Sequence, residues 1–503
     1  MRCARCLSVF FVLCFFFALN CKASEHLTLK ETGATKKKPN VLVIMTDEHN
    51  FRTLGCYRKL LPKEMANMWG PAIVETPHID SIANEGAICT SFYATTPVCS
   101  PSRAALISGL YPHLTPVHTN NIPLDDGVVT FAEILRREGY ATGFAGKWHL
   151  DGTSKPGWAP KRKFGFQDNR YMFNRGHWKI LKETQKGPRV GATNKQGQPS
   201  YGVQGATEES FTTDFLIDRT IEFIAKNRKK PFCYMVSLPD PHGPDTVRAP
   251  YDTMFESQEY TQPKSAKKDF STQPKWGEKQ AGKFNQSKYY GMVKCIDDNI
   301  GKLIGKLKEN GVYDNTILVF TSDHGDLRGE HHRQNKGVPY EASSRVPFLI
   351  RYPETIKKKT VVKQALGSID FVPTLCTLMD TKPAKPVHGR DFTSLLVGEE
   401  KKWKDITIVR GTGDLKGWLM AVTDRYKLVF SANDPAWFFD LERDPNEMIN
   451  LRDHAAYREI IRSLALEIKA YASKHPEPFV KQPNIEKDLS WAVSDQGKYP
   501  GRD

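Results

Sequence analysis

The sequence predicts an α/β fold, in which helices sandwich a large, mainly parallel sheet and a smaller C-terminal α+β subdomain follows. Apolar runs of strand length alternate with helical patterns, as they do in sheets covered on both faces. The 503 residues also exceed what one compact core usually holds, so we expect a second, smaller unit. We assign the α/β domain to residues 38–390 and the subdomain to residues 391–503.

Four apolar runs predict the central strands, at residues 41–45, 141–145, 232–238 and 316–320. Each run is followed within four residues by side chains suited to chemistry, namely Asp47 and Glu48, Lys147 and His149, His242, and Asp323 and His324. The carboxyl ends of parallel strands meet at one edge of a sheet, where ligands bind in open α/β folds. We therefore expect all four strand ends to contribute to one site.

The other predicted elements surround these strands. Ile296, Ile300, Leu303 and Leu307 recur at helical spacing, and Gly311 ends that helix. A strand at 345–350 and a helix at 369–379 complete the domain; strands at 418–423 and 426–430 and a helix at 455–473 belong to the subdomain. Two long polar stretches, residues 177–214 and 253–288, are interpreted as walls of a substrate cleft, with solvated loops as the alternative.

The most informative short pattern is Cys99-Ser100-Pro101-Ser102-Arg103. Pro101 suits the first turn of a helix and Gly109 suits a helix end, so the pattern predicts a short helix that begins near Cys99. Backbone N–H groups and the positive end of the helix dipole converge at such a position, which favours anions and activated nucleophiles. For Cys99 taken alone, a buried structural cysteine is the alternative.

The acidic strand ends predict a cation site. Asp47, Glu48 and Asp323 would repel one another unless a cation lay between them, and carboxylate oxygens suit calcium or magnesium. The imidazole of His324 also suits a softer ion such as manganese. Each carboxylate taken alone could instead cap a turn.

The pattern C-x-P-S-R resembles the signature of the type I sulfatases, which have an alkaline-phosphatase-like fold. In that family a maturation enzyme oxidises the cysteine to formylglycine, which here would form from Cys99. The resemblance continues in Gly146-Lys147-Trp148-His149, in a histidine within a proline-rich turn, in a lysine ahead of Tyr340-Glu341, and in Asp444-Pro445-Asn446-Glu447. It covers about residues 38–451 and implies an enzyme that hydrolyses sulfate esters.

The resemblance also implies which residues form the site. The catalytic set is Cys99, Arg103, Lys147, His149, His242 and Lys336, of which Lys147, His242 and Lys336 bind substrate; the metal set is Asp47, Glu48, Cys99, Asp323 and His324. One hydroxyl of the hydrated aldehyde would attack sulfur, and His149 would later remove the proton that restores the aldehyde. The metal in this family is usually calcium, with manganese or magnesium as alternatives. Glu48 and His324 replace the family's common Asp and Asn, which leaves open whether Glu48 is a ligand.

Two other functions remain open at this stage. A phosphonate or phosphodiester hydrolase on the same scaffold would fit Glu48 and His324 slightly better. An inactive carbohydrate-binding relative would keep the fold without turnover.

Charge favours anionic partners. The 72 Lys and Arg residues exceed the 57 Asp and Glu residues, which gives a net charge of +15. We expect a sulfated carbohydrate or aryl sulfate substrate. No RNA-binding fingerprint or zinc-knuckle spacing is present, so nucleic acid is not expected. The basic stretch 253–288 predicts a rim for sulfated polymers, with Trp276 among its lysines Lys264, Lys267, Lys268, Lys275, Lys279, Lys283 and Lys288; a disordered loop is the alternative.

Residues 1–23 predict a signal peptide. Arg2 and Arg5 precede a short apolar run, and Cys21-Lys22-Ala23 offers small residues for cleavage. The run is short for a membrane span, and no later segment reaches that length. We expect an exported protein, periplasmic or secreted, with a lipoprotein anchored through Cys21 as the alternative. The remaining cysteines have no spacing from which disulfides can be paired.

Overall fold

The computed structural model describes residues 37–267, 284–399, 403–413, 417–494 and 497–502. Its strands are β1 (Asn40–Asp47), β2 (Ala87–Cys89), β3 (Phe92–Tyr93), β4 (Ala141–Lys147), β5 (Asp168–Phe173), β6 (Leu181–Thr184), β7 (Gly187–Val190), β8 (Phe232–Pro241), β9 (Thr316–Ser322), β10 (Phe348–Arg351), β11 (Thr360–Val362), β12 (Leu366–Gly367), β13 (Thr407–Arg410), β14 (Trp418–Val422), β15 (Tyr426–Ser431) and β16 (Trp437–Asp440).

Its helices are α1 (Gly55–Arg58), α2 (Lys63–Ala66), α3 (Pro77–Glu85), α4 (Cys99–Ser108), α5 (Phe131–Arg137), α6 (Thr212–Asn227), α7 (Gln286–Glu309), α8 (Glu341–Ser344), α9 (Phe371–Leu378), α10 (Thr393–Leu396), α11 (Arg458–Lys474) and α12 (Pro483–Val493). Among the residues that the structure describes, every helix is too short or too polar to span a membrane.

An eight-stranded sheet in the order β11-β2-β10-β9-β1-β8-β4-β5 forms the centre of the molecule. Neighbouring strands are parallel except around β10, which is antiparallel to both β2 and β9. The mainly parallel sheet is therefore confirmed. The four strands predicted to end in functional residues are β9, β1, β8 and β4, which are consecutive in the sheet and parallel, so their carboxyl ends lie side by side.

Helices cover both faces of this sheet. Alternate residues of β1 point to opposite sides, so that Val41 and Val43 pack into a core with α4, α5 and α9. Leu42 and Ile44 pack into a second core with α3, α6 and α7. The predicted apolar face of α7, which includes Ile300, contributes to that second core. The layered arrangement follows from strands that are apolar on both faces.

The C-terminal part contains a four-stranded antiparallel sheet, β13-β14-β15-β16. Leu419 and Leu428 on one face of this sheet pack against α11 and α12, as expected for an α+β unit. The predicted terminal helix begins three residues later, at Arg458, because residues Ala455–Tyr457 form a 3-10 turn. Residues Lys38–Asp503 group into one compact unit, and a boundary at 390 stays a prediction.

The structure describes the first polar stretch completely and the second only in part. The stretch 177–214 contains the hairpin β6–β7 and ends in the first residues of α6. In the stretch 253–288, residues 268–283, with Trp276 and Lys268, lie outside the described residues, as do the predicted signal peptide 1–23 and Cys21. The six cysteines of the described chain are all buried and free.

Candidate active site

The predicted helix begins at Cys99, as α4, after the extended residue Val98. Pro101 lies in its first turn, and the helix ends at Gly109, whose φ of 70° is the left-handed conformation that glycine adopts without strain. All ten residues of α4 are buried, and Cys99 is 3% exposed. The helix therefore presents Cys99 at its amino end, inside the protein and next to the carboxyl edge of the sheet.

Cations and carboxylates surround the Cys99 sulfur. Its Sγ lies 3.1 Å from His324 Nε2, 3.8 Å from Lys147 Nζ and 3.9 Å from Asp47 Oδ1. Burial alone would raise the pKa of the Cys99 thiol, but Lys147, together with Lys336 and His324, holds it well below its usual range. Position 99 is thus a place where an anion or an electron-rich oxygen is stabilised.

Arg103, one turn further along α4, joins the two strand-end aspartates. Its Nη2 lies 3.0 Å from Asp47 Oδ2 and 2.8 Å from Asp323 Oδ2. Its Nη1 donates to the Lys147 carbonyl at 2.6 Å and to Ser237 Oγ at 2.7 Å, so the guanidinium contacts strands β1, β4 and β8 and the end of β9. The side chain is 1% exposed. Arg103 therefore fixes the relative positions of four strand ends.

Asp47, Cys99, Asp323 and His324 form a group whose donor atoms all lie within 4.8 Å of one another. His324 Nδ1 lies 3.0 Å from the Gly325 carbonyl and its Nε2 faces the group, so a cation bound there would take the place of the Nε2 proton. Burial would lower the pKa of His324, but Asp323 and Cys99 raise it to about 9, so the group attracts positive charge. Two carboxylates and one imidazole fit a divalent cation.

Glu48 points away from that group. It has a φ of 63°, so the chain turns at the end of β1 and the side chains of Asp47 and Glu48 diverge. Glu48 Oε2 lies 2.9 Å from His242 Nε2, and Oε1 lies 3.0 Å from Lys336 Nζ. Burial would raise the pKa of Glu48, but His242 and Lys336 hold it well below its usual value. Glu48 is therefore ionised and holds two of the predicted substrate-binding residues.

Lys147 and His149, from the end of β4, lie on the Cys99 side. Lys147 Nζ is 2.5 Å from Asp47 Oδ2 and 2.8 Å from Nε2 of His177. His149 Nε2 is 3.2 Å from Asn121 Oδ1. Burial lowers the pKa of His149 despite an opposing interaction with Cys99, so this imidazole is neutral and able to accept a proton.

Three residues of the site were not predicted from the sequence. His177, in the polar stretch, contacts Lys147 and stacks on His242 with ring centroids 3.5 Å apart. Asn121 contacts His149, and Ser237 on β8 accepts from Arg103. Of these three, only His177 could have been noticed in the sequence, as a histidine at the start of a polar stretch. The other two are common polar residues whose role depends on the tertiary structure.

The C-terminal sheet supports the segment that carries Lys336. Lys427 on β15 is fully buried, and its Nζ lies 2.7 Å from both Glu341 and Glu447 and 2.9 Å from the Pro339 carbonyl. Trp418 on β14 donates its indole N–H to the Gly337 carbonyl at 3.1 Å. The residues just after Lys336 are therefore held by β14 and β15.

A cavity of about 500 Å³ opens beside Glu48. It is lined in part by Asp245, Asn285, Gln334 and Asn335. Asp245 follows His242 by three residues, and Asn335 precedes Lys336 directly. The cavity therefore adjoins the His242 and Lys336 side of the site and offers carboxylate and amide groups.

Comparisons with known proteins identify similar sequences and a shared fold. The chain is 29% identical over 452 residues to an ulvan-active sulfatase of Formosa agariphila, covering 87% of this chain and 81% of that protein. It is 25% identical to the N-acetylglucosamine-6-O-sulfatase of Bacteroides thetaiotaomicron, covering 88% of each. A structure solved in complex with its substrate D-glucosamine-2-N,6-O-disulfate shares the fold, with a TM-score of 0.72, 22% identity, and coverage of 90% of this chain and 100% of that one.

Two family models also match. Residues 329–474 match the C-terminal model of N-sulphoglucosamine sulphohydrolase. Residues 39–381 match the sulfatase model, a span that runs from β1 through all four strand ends and α4. The chain therefore belongs to the sulfatase family and is a sulfuric ester hydrolase.

Proposed function

We propose that this sulfatase removes sulfate from carbohydrates, using formylglycine made from Cys99 together with a bound divalent cation. One observation carries the proposal. The Cys99 sulfur, at the amino end of α4, lies within 3.9 Å of Lys147, His324 and Asp47. A structural cysteine needs no such surroundings, whereas an oxygen nucleophile at that position needs both a cation and a positively charged neighbour.

The cation would be held by Asp47, Asp323, His324 and the residue at position 99. We expect calcium, because two of the candidate ligands are carboxylates. The imidazole of His324 would also suit manganese, and magnesium is the third candidate. The bound cation would neutralise the buried carboxylates and lower the pKa of a hydroxyl at position 99. On hydration, the aldehyde would supply that hydroxyl. It would also provide a route for sulfate release that a serine lacks.

The remaining residues would divide into two sides. Lys147 and Arg103 would stabilise negative charge beside position 99, and His149 would take the proton that ends the cycle. On the other side, His242 and Lys336 would bind the sulfate oxygens and assist the leaving alcohol oxygen. We assign Glu48 to this second side, because its carboxylate contacts both residues. Such a placement gives an unactivated alcohol, like that of a sugar, the acid it needs to leave.

The relatives and the cavity support a carbohydrate as the leaving group. One relative is an ulvan-active sulfatase and another is an N-acetylglucosamine-6-O-sulfatase. The cavity beside Glu48 has carboxylate and amide groups that can hydrogen-bond to hydroxyls, and its volume suits a sugar ring. The protein would be exported by its signal peptide, periplasmic or secreted, and would need a formylglycine-generating enzyme for maturation.

A substrate panel tests this proposal. The protein, produced with a formylglycine-generating enzyme, is assayed against sulfated mono- and oligosaccharides, an aryl sulfate, and the matching phosphate and phosphonate esters. We expect kcat/KM to be highest on a sulfated sugar, with loss of turnover in Cys99→Ala at unchanged thermal stability. Higher kcat/KM on a phosphonate or phosphate ester would contradict the proposal.

A further inference from the structure

His177 occupies a place between the two sides of the site. It follows β5, the edge strand beside β4, and Lys147 at the end of β4 pairs with Phe173 at the end of β5. The segment after β5 is well anchored, because the Asn174 side chain donates to the carbonyls of Gly152 and Ser154 at 3.0 Å each. His177 is half-buried and contacts both Lys147 and His242.

The first contact of His177 is a hydrogen bond to Lys147. The Nζ atom of Lys147 lies 2.8 Å from Nε2 of His177. A lysine ammonium has only donors, so the imidazole must accept through Nε2 and remain neutral. Burial, Lys147 and His242 together lower the pKa of His177 well below its usual value, which agrees with that neutral form. His177 therefore directs the ammonium of Lys147 without adding charge.

The second contact is a parallel stack with His242. The ring centroids are 3.5 Å apart and the planes differ by 9°. The Nδ1 atom of His242 lies 2.9 Å from the Gly243 carbonyl, and Nε2 lies 2.8 Å from Lys336 Nζ and 2.9 Å from Glu48 Oε2. An imidazole forms its hydrogen bonds through its two ring nitrogens, whose N–H bonds and lone pairs lie in the plane of the ring. The His177 ring is a neighbour across its face, and so fixes the direction of that plane.

We propose that His177 is a positioning residue that serves both sides of the reaction, holding the ammonium of Lys147 through Nε2 and the ring plane of His242 through its face. The inference rests on the proposed function, in which Lys147 stabilises charge at the sulfate and His242 assists the leaving oxygen. One imidazole would then set the spacing between the attacked sulfur and the group that protonates the leaving alcohol. Misplacing either group by about 1 Å costs on the order of 100-fold in rate.

Two variants separate the two contacts. His177→Phe keeps a flat ring to stack on His242 but has no acceptor for Lys147. His177→Gln keeps an oxygen that can accept from Lys147 but has no ring. Each variant is assayed on an activated aryl sulfate, whose leaving group needs no proton, and on a sugar sulfate, whose leaving group does. Inorganic sulfate binding is measured by calorimetry as a readout independent of turnover.

We expect kcat/KM of His177→Phe to fall by similar factors on both substrates. We also expect this variant to bind inorganic sulfate about 10-fold more weakly, which is the loss typical of a hydrogen bond to a charged group. We expect His177→Gln to bind sulfate more tightly than His177→Phe, because its side-chain oxygen still accepts from Lys147, and to lose less kcat/KM on the aryl sulfate than on the sugar sulfate. On the sugar sulfate, kcat/KM of His177→Gln should fall at least about 10-fold, because a misplaced His242 would supply only part of the rate enhancement of a positioned acid. Thermal stability and metal content serve as fold controls.

Wild-type kinetics in both variants would overturn the inference, as would equal losses on the two substrates in His177→Gln. If one variant fails to fold, the other still tests its own contact. The wild-type enzyme is measured first: absence of turnover on every sulfate ester would count against the proposed function itself, whereas wild-type turnover with insensitive variants would count against His177 alone.

Discussion

The Oε2 atom of Glu48 lies 2.9 Å from Nε2 of His242. Asp47, the residue before it, instead contacts Arg103 and Lys147 on the Cys99 side. Two consecutive carboxylates at one strand end thus serve opposite sides of the site. The sequence predicts both as metal ligands. In the structure Asp47 lies in the group that could hold a cation, whereas Glu48 contacts His242 and Lys336.

This division predicts the behaviour of Glu48→Gln. We expect the variant to keep its metal, because the donor group Asp47, Asp323 and His324 is untouched. Its kcat/KM on a sugar sulfate should fall about 10- to 100-fold, which is the range for residues that orient a functional side chain without contacting the substrate. Metal content by mass spectrometry and steady-state kinetics measure the two effects. The control is Glu75→Gln, at a carboxylate that is 68% exposed. Loss of the metal in Glu48→Gln would instead make Glu48 a ligand.

Asp323→Ala tests the cation group. Removing this carboxylate takes away one candidate metal ligand and one of the two aspartates paired with Arg103, so metal content and turnover should fall together, by at least about 10-fold. Asp314→Ala, at a carboxylate 84% exposed on the surface, serves as a matched control. Exhaustive chelation of the wild type should have the same effect as Asp323→Ala, and readdition of calcium should restore it. Full activity after chelation would exclude a catalytic metal.

Much of this arrangement could be predicted from the sequence. The apolar runs predict β1, β4, β8 and β9, and Pro101 with Gly109 predicts α4, because these signals are local. His177 could not be predicted, because its contact with Lys147 depends on β5 pairing beside β4. The direction of Glu48 could not be predicted either, because it follows from the positive φ at the end of β1.

In the C-terminal sheet, too, a contact between residues distant in sequence could not be predicted. Strand propensity predicts β15, with Leu428 in its core. Lys427 in the same strand is fully buried between Glu341 and Glu447. A lysine in a strand usually indicates an exposed face. Its burial here depends on two acidic residues that are distant in sequence, one of which follows Lys336 by five positions.

Lys427→Met should therefore destabilise the protein. Removing the ammonium leaves Glu341 and Glu447 facing each other in the interior, and breaking a buried ion pair in this way costs about 3 to 5 kcal/mol in the free energy of unfolding. Chemical denaturation measures the loss. The control is Lys404→Met, which removes an exposed lysine paired with Glu467. Similar midpoints for the two variants would show that the buried network does not contribute to stability.

Glu330 predicts a dependence of stability on pH. Burial, only partly offset by Arg52, raises the pKa of its carboxyl to about 7 from a usual value of 4.5. The folded state therefore holds this proton more tightly than the unfolded state, so the contribution to stability is present below about pH 4.5 and is lost as pH rises towards 7. Glu330→Gln cannot ionise and should lose less unfolding free energy between about pH 5 and about pH 8. Parallel pH profiles for variant and wild type would contradict this.

The most direct test of the account is the mass of the peptide that contains residue 99, measured in protein whose turnover of a sulfate ester has been established. We predict that residue 99 is formylglycine in the active protein, with turnover proportional to the modified fraction across preparations. Cys99→Ser, which offers a hydroxyl without the aldehyde, should not turn over. Fully active protein that contains only unmodified Cys99 would contradict the account.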